Sequence, residues 1–260
     1  MDYEDILFHK SGGIATISIN RPNVLNAFRS QTVEELISAF EDAGWDETVG
    51  VIVLTSEGDK AFCVGGDQTG HDGQYGSRGT IGMPIEQLHS VIRDVPKPVI
   101  AKVKGYAIGG GNVLVTLCDL CIAADTARFG QAGPKVGSVD PGWGTAYLSH
   151  VVGEKKAREI WYLCRKYSAD EALKMGLCNA VVPLAELDAE VLKWCEEINE
   201  KSPTALAIAK RSFNAGTEHI RGIGHLGMQA LKLFYDTSES REGVNAFNEK
   251  RKPNFRKSAK

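Results

Sequence analysis

The sequence predicts an α/β fold, and three observations predict it. Apolar runs of strand length alternate with segments of helical periodicity along the first part of the chain. A glycine turn, Gly109-Gly110-Gly111, joins an apolar run to a helix, and beyond residue 182 nearly every segment repeats its apolar positions at helical spacing. A chain of 260 residues can bury a substantial core as one large domain or two small ones.

Taken in order, residues 14–19 alternate Ile-Ala-Thr-Ile-Ser-Ile, a half-buried strand, and Gly12-Gly13 turns it back on an opening strand around Ile6, Leu7 and Phe8. Arg21-Pro22 ends it. Over residues 31–45, Val33, Leu36, Ile37, Phe40 and Ala43 mark an amphipathic helix. Val51-Ile52-Val53-Leu54-Thr55 is continuously apolar, as a strand covered on both faces should be. Strand, helix, strand, helix in this order implies right-handed crossovers. Residues 69–83 make a long loop rich in Gly, Asp and Ser that carries His71, Tyr75 and Arg78; a loop of this length in a compact domain is usually functional or mobile. A helix follows over 84–93, with Ile85, Leu88, His89 and Ile92 on one face, which reads His89 as a packed or surface side chain rather than a catalytic one. Pro98-Val99-Ile100-Ala101-Lys102-Val103 is the strand before the glycine turn. Leu120-Cys-Ile-Ala-Ala124 is another, and Arg128-Phe-Gly-Gln131 starts a short one. A polar, Gly-rich turn over 135–144 precedes the helix of Tyr147, Leu148 and Val151. Helices then cover 154–163 and 169–175, a last short strand 178–182, and helices 188–200, 204–213 and 220–235.

A net charge of −3 gives no electrostatic case for a nucleic-acid or acidic-membrane partner. No segment is apolar enough to span a bilayer, and the first twenty residues, with Asp2, Glu4 and Asp5, lack the order of a signal peptide, so a cytoplasmic location is expected. The six cysteines, at 63, 118, 121, 164, 178 and 195, lack the density of a disulfide scaffold and are expected to be reduced. Cys118 and Cys121 have no second pair or nearby His, so no metal site is read there. A Gly-x-Ser-x-Gly elbow is missing, and no Gly-x-Gly-x-x-Gly stands between a strand and a helix, which argues against a serine hydrolase and a dinucleotide enzyme.

The chemistry centres on residues 106–119. Three glycines at a strand-to-helix turn expose backbone N–H groups at the positive end of a helix. A second pair, Gly65-Gly66, follows Phe62-Cys63-Val64, and two converging donors of this kind form an oxyanion hole. Glycines that merely permit tight turns would show the same pattern in isolation. Cys63-Val64-Gly65-Gly66-Asp67-Gln68, Lys97-Pro98-Val99-Ile100-Ala101, Gly105-Tyr106-Ala107-Ile108-Gly109-Gly110-Gly111 and Cys118-Asp119 resemble, in order and spacing, the crotonase (enoyl-CoA hydratase/isomerase) superfamily, over nearly the whole chain. The resemblance implies a crotonase-like ββα superhelix core over residues 1–200 and a helical oligomerisation region over 201–260, assembled as a homotrimer or as a dimer of trimers. It implies an acyl-CoA thioester substrate, CoA being part of the substrate and no cofactor being tightly bound. The N–H groups of Gly66 and Gly110 would hold the thioester oxygen as an enolate. Leu25, Ala27, Val64, Gly65, Asp67, Gln68, Tyr75, Tyr106, Ala107, Ile108 and Gly109 would line the substrate channel, with Tyr75 and Arg78 toward the acyl group and Lys250 at the nucleotide phosphates.

The positions that match the two water-activating glutamates of enoyl-CoA hydratases are Val113 and Gly133, neither of which handles a proton, so plain hydration is not expected. The stretch Phe129-Gly-Gln-Ala-Gly-Pro-Lys-Val-Gly-Ser-Val-Asp140 is instead similar to that of two ring-forming and ring-opening branches, the dihydroxynaphthoyl-CoA synthases and the 2-ketocyclohexanecarboxyl-CoA hydrolases. Ser138, Asp140 and Tyr235 match polar site residues there, Tyr235 reaching a site in its own or a neighbouring subunit. Gln131 and Gly133 match positions that leave room for a bicarbonate or chloride. On residue types alone, Ser138 could equally cap a helix, Asp140 could bond turn amides and Tyr235 could pack in the core. Ser138-Val-Asp-Pro-Gly-Trp-Gly144, Arg78-Gly-Thr-Ile-Gly82 and residues 230–243 favour the hydrolase. The expected reaction is therefore reverse Dieckmann ring opening of a cyclic β-ketoacyl-CoA, as in anaerobic degradation of aromatic and alicyclic acids. The alternatives are ring closure by a synthase and a non-catalytic CoA-binding protein.

Overall fold

The computed structural model describes residues 3–67, 76 and 78–256; Gln68, His71 and Tyr75 lie outside them. The alternating segment is strand β2 (Ile14–Ile19), paired antiparallel with β1 (Ile6–Ser11) so that Ile6 lies opposite Ile19. Then follow α1 (Ser30–Trp45), β3 (Val51–Ser56), β4 (Ala61–Cys63), α2 (Ile85–Asp94), β5 (Val99–Val103), β6 (Tyr106–Ile108), α3 (Gly110–Leu117), β7 (Leu120–Ala124) and β8 (Arg128–Gly130). A single π-type turn at Trp143–Tyr147 runs into α4 (Leu148–Val152). The chain continues through α5 (Glu154–Leu163), β9 (Lys166–Ser168), α6 (Ala169–Lys174), β10 (Ala180–Val182), α7 (Leu187–Asn199), α8 (Pro203–Ala215), α9 (His219–Tyr235) and α10 (Ser238–Asn248).

The strands form two sheets. The larger has the order β1-β2-β3-β5-β7-β10 and is parallel beyond the first hairpin. All six residues of β3 are buried, as its unbroken apolar run required. Its side chains divide by the strand period. Val51 and Val53 pack with Leu187, Val191 and Cys195 from the α7 side, while Ile52 and Leu54 join Leu36 and Phe40 of α1 in the main core. The smaller sheet, β4-β6-β8-β9, is built from strands of three residues, too short for a periodicity to announce β4, β6 or β9. Its first three strands run parallel, β4 beside β6 and β6 beside β8. Their C-terminal ends therefore lie at one edge, and each is followed within two residues by a candidate site residue.

Asp119 has a structural task. One carboxylate oxygen accepts the Val99 N–H at 2.8 Å and meets Lys210 Nζ of α8 at 2.7 Å; that ammonium also donates to the carbonyls of Ile92 and Lys97. Cys121 pairs not with Cys118 but with Cys178, their sulfurs 3.3 Å apart and buried. Among the described residues no helix is long and apolar enough to cross a membrane. Replacing Asp119 by Ala leaves a largely buried ammonium facing carbonyls alone. Because the carboxylate is partly exposed, the expected loss is about 2 kcal/mol, below the figure for a fully buried pair, read as a lower midpoint in chemical unfolding.

Candidate active site

The first part of the site is a meeting of loops. The Phe28 N–H donates to the Gly65 carbonyl at 2.9 Å and the Asp67 N–H to the Phe28 carbonyl at 2.9 Å, so residues 64–67 are strapped to the loop before α1. Gly65 adopts φ +93°, and a methyl group built on it would lie 3.0 Å from the Gly110 nitrogen. One built on Gly110 would lie 3.2 Å from Gly65 Cα and 2.6 Å from Phe28 Cζ. The two glycine turns are thus in van der Waals contact, which no larger residue permits. Gly110 is the first residue of α3, whose opening N–H groups have no partner within the helix.

Arg21 and Asn26 organise the adjoining loop through side-chain contacts that the sequence does not announce. Arg21 donates to the Ala27 carbonyl and pairs with Asp67 at 3.0 Å. Asn26, buried at φ +56°, donates to the carbonyls of Glu57 and Ala61 at 2.9 and 2.7 Å. Leu25 at the apex is left exposed and Ala27 is buried. Of the remaining channel candidates, Ala107 is wholly buried, Ile108 and Val64 are half-buried, and Tyr106 is exposed with Lys166 Nζ 4.7 Å above its ring. The Gly109 N–H donates to the Gly130 carbonyl at 2.9 Å, which fixes Gln131 beside the start of α3. Both polar atoms of the Gln131 side chain are buried without a partner among the described residues. A side chain at Gly133 would meet the Ser138 carbonyl at 2.6 Å and Trp161 at 3.0 Å, so the position requires glycine. Lys250 is exposed just after α10, at φ +53°. Arg78 meets Glu34 of α1 at 3.6 Å, and Arg251 is paired with Glu242 and Glu249.

The second part is polar and lies further along α3. Val113 sits three residues, about 4.5 Å, from Gly110. A methyl group built on Gly144 would meet Val113 Cγ2 at 3.0 Å and Asp140 Cβ at 2.7 Å, so Asp140 stands beside Val113. Asp140 Oδ1 accepts the Gly144 N–H at 2.8 Å, which is the turn-amide role its residue type allowed. Its Oδ2 instead faces His89 Nε2 at 3.9 Å. Burial pushes the Asp140 carboxyl up to about 7, against the lowering effect of the Gly144 N–H, and pushes the His89 imidazole down to about 3. The Ser138 and Tyr235 hydroxyls lie 2.8 Å apart, within one chain. Burial raises the Tyr235 phenol; Ser138 opposes this and Asp140 adds to it.

A family model described as enoyl-CoA hydratase/isomerase matches residues 9–258. The chain belongs to the enoyl-CoA hydratase/isomerase family. Solved structures agree with it along their whole lengths. An enoyl-CoA hydratase from Mycobacterium avium subsp. paratuberculosis K-10 matches at a TM-score of 0.87 and 28% identity, over 97% of this chain and 99% of that one. An enoyl-CoA hydratase from Bacillus anthracis matches at 0.76 and 30%, over 96% and 98%. A carnitinyl-CoA hydratase from Mycobacterium avium matches at 0.83 and 28%, over 97% and 98%.

Within this member of the family, Tyr235 owes its place to glycines inside a helix. Gly222-Ile-Gly-His-Leu-Gly227 has the spacing of a dinucleotide fingerprint but lies within α9. A methyl group on Gly227 would come 2.3 Å from Pro141 Cβ, and one on Gly142 would come 2.6 Å from Gly224 Cα. The helix thus packs directly on the turn that carries Asp140. Helix propensity alone favours Gly227→Ala by about 1 kcal/mol. The packing predicts the opposite sign, a lower melting temperature together with loss of the Ser138–Tyr235 hydrogen bond, which removes the one influence that lowers the phenol and is seen as a raised phenol pKa in ultraviolet titration.

Proposed function

We propose that the protein opens the ring of a cyclic β-ketoacyl-CoA such as 2-ketocyclohexanecarboxyl-CoA by adding water, giving pimeloyl-CoA. The observation that carries this reading is the half-buried Asp140 carboxyl beside the Ser138–Tyr235 pair, at a helix start where positions 113 and 133 offer no carboxylate. Asp140 takes a proton from water as the water oxygen bonds to the ring ketone carbon. The alkoxide collapses to a carboxyl group, and the bond to the carbon next to the thioester breaks. Its electron pair moves onto the thioester oxygen, which the N–H groups of Gly66 and Gly110 receive; each such donor is worth about 3 kcal/mol of barrier. Tyr235, kept protonated by burial and poised by Ser138, gives a proton to that carbon and is reprotonated by the proton that Asp140 took from water, while the new carboxyl loses its proton to solvent. A base that titrates near 7 is matched to this work at neutral pH. The base is assigned to Asp140, and no step is assigned to a bicarbonate or chloride near Gln131 and Gly133.

CoA is assigned to the surface of Leu25, Ala27, Val64, Gly65, Asp67 and residues 106–109, with Lys250 toward the nucleotide. Phe213, 80% exposed on α8, and Leu226, 75% exposed on α9, support a homotrimer or a dimer of trimers through the helices beyond residue 200. The likeness to solved enoyl-CoA hydratases favours a second reading, hydration of an enoyl-CoA. Mass spectrometry separates them: incubation with 2-ketocyclohexanecarboxyl-CoA yields pimeloyl-CoA, whereas hydration of crotonyl-CoA or cyclisation of succinylbenzoyl-CoA, with no ring opening, would overturn the proposal. Because the base acts ionised, kcat/KM rises with pH through about 7. Asp140→Asn loses that limb and about 10²- to 10⁴-fold in rate, measured by the release of ring-opened product.

A further inference from the structure

His89 was expected to be a packing residue, and its place on the buried face of α2 agrees with that, but two observations do not. Its Nδ1 is buried with no hydrogen-bond partner among the described residues, an unfavourable state that an apolar side chain of similar shape would avoid. Its Nε2 faces Asp140 Oδ2 at 3.9 Å, too long for a hydrogen bond but close to the distance of one. The two side chains are therefore direct neighbours separated by about 1 Å of closure.

We propose that His89 is a positioning residue for Asp140: when the carboxyl ionises, the His89 Nε2–H closes onto Oδ2 and holds the carboxylate charged and aimed, while Gly144 holds Oδ1. This rests on the reading of Asp140 as the base. Among the described residues, the other groups around Asp140 are engaged elsewhere. Arg93, one turn along α2, is occupied by the rings of Trp143 and Tyr147, 4.6 and 4.5 Å from its guanidinium carbon, and by Thr217 Oγ1 at 2.8 Å. Tyr235, from α9, is bonded to Ser138 and acts on Asp140 only through space. The Gly144 N–H, on the turn itself, already has Oδ1. Burial keeps the imidazole neutral, so it serves as a fixed N–H donor across the working pH range rather than as a second base. A donor that bonds the charged form of an acid favours ionisation, so loss of His89 moves the Asp140 titration to higher pH.

The test compares His89→Phe, which keeps the ring shape without a donor, with His89→Gln, whose Nε2 reaches the place of the imidazole Nε2, after thermal melts establish that both fold. In substrate-free protein, infrared titration follows the carboxyl band that disappears in Asp140→Asn. The expected result is an upward shift of about one pH unit in His89→Phe, with His89→Gln titrating like the parent. With 2-ketocyclohexanecarboxyl-CoA, the acidic limb of kcat/KM shifts in the same direction and KM changes little. An Asp140 titration unmoved in His89→Phe, or moved equally in both variants, overturns the proposal. The infrared shift without any ring opening upholds the role of His89 and overturns only the reaction assigned to the site.

Discussion

The parallel pairing of three short strands is the constraint on which the rest depends. Strands β4, β6 and β8 are neighbours that all run the same way, so the chain leaves all three at one edge of the small sheet. Gly65-Gly66, Gly109-Gly110 and Gln131 come next in sequence, and they have no choice but to be adjacent in space. The backbone contact of Gly65 with Gly110 is the tightest expression of this. It requires glycine on both sides for a reason apart from turn geometry, since either added methyl group would strike the other turn or Phe28. Main-chain donors placed by a sheet and a helix start reorganise little during a reaction, which is the quality an oxyanion site needs.

The acid–base part of the site is held by a different device. Strand ends do not position Asp140; a turn does, pinned by its own Gly144 N–H and pressed on by α9 through Gly224 and Gly227. Because that helix packs so closely, Tyr235 near its end meets Ser138 of the same chain. The helix sacrifices intrinsic propensity at these glycines and gains a defined distance between two hydroxyls. The same turn presents one oxygen of Asp140 to His89, so a face of α2 that periodicity assigns to the core also touches the site.

Much of the large sheet was legible because its strands are long enough to carry a pattern. The alternation at 14–19 and the unbroken run at 51–55 gave the hairpin and the covered strand, and the helices at 31–45 and 220–235 followed from their apolar stripes. The second sheet was less legible because three residues cannot display a period of two. The glycine turns were visible as composition, but their mutual contact is a product of long-range pairing. Asp140 could be named from its motif, while its partners could not. His89 looked like a core residue because it is one, and its second role depends on a turn fifty residues away in the chain. The glycines within α9 have the spacing of a nucleotide motif out of context; the approach of Pro141 accounts for Gly227, the close contact with Gly142 accounts for Gly224, and nothing in the structure accounts for Gly222.

The central claim is that two main-chain amides from separate glycine turns share one thioester oxygen. A crystal structure with a non-cleavable cyclic acyl-CoA analogue tests it most directly. The account predicts the nitrogens of Gly66 and Gly110 both at about 2.7–3.1 Å from that oxygen, with Asp140 facing the ring carbon. A thioester oxygen bonded to neither amide, or two nitrogens opening into different cavities, would contradict it.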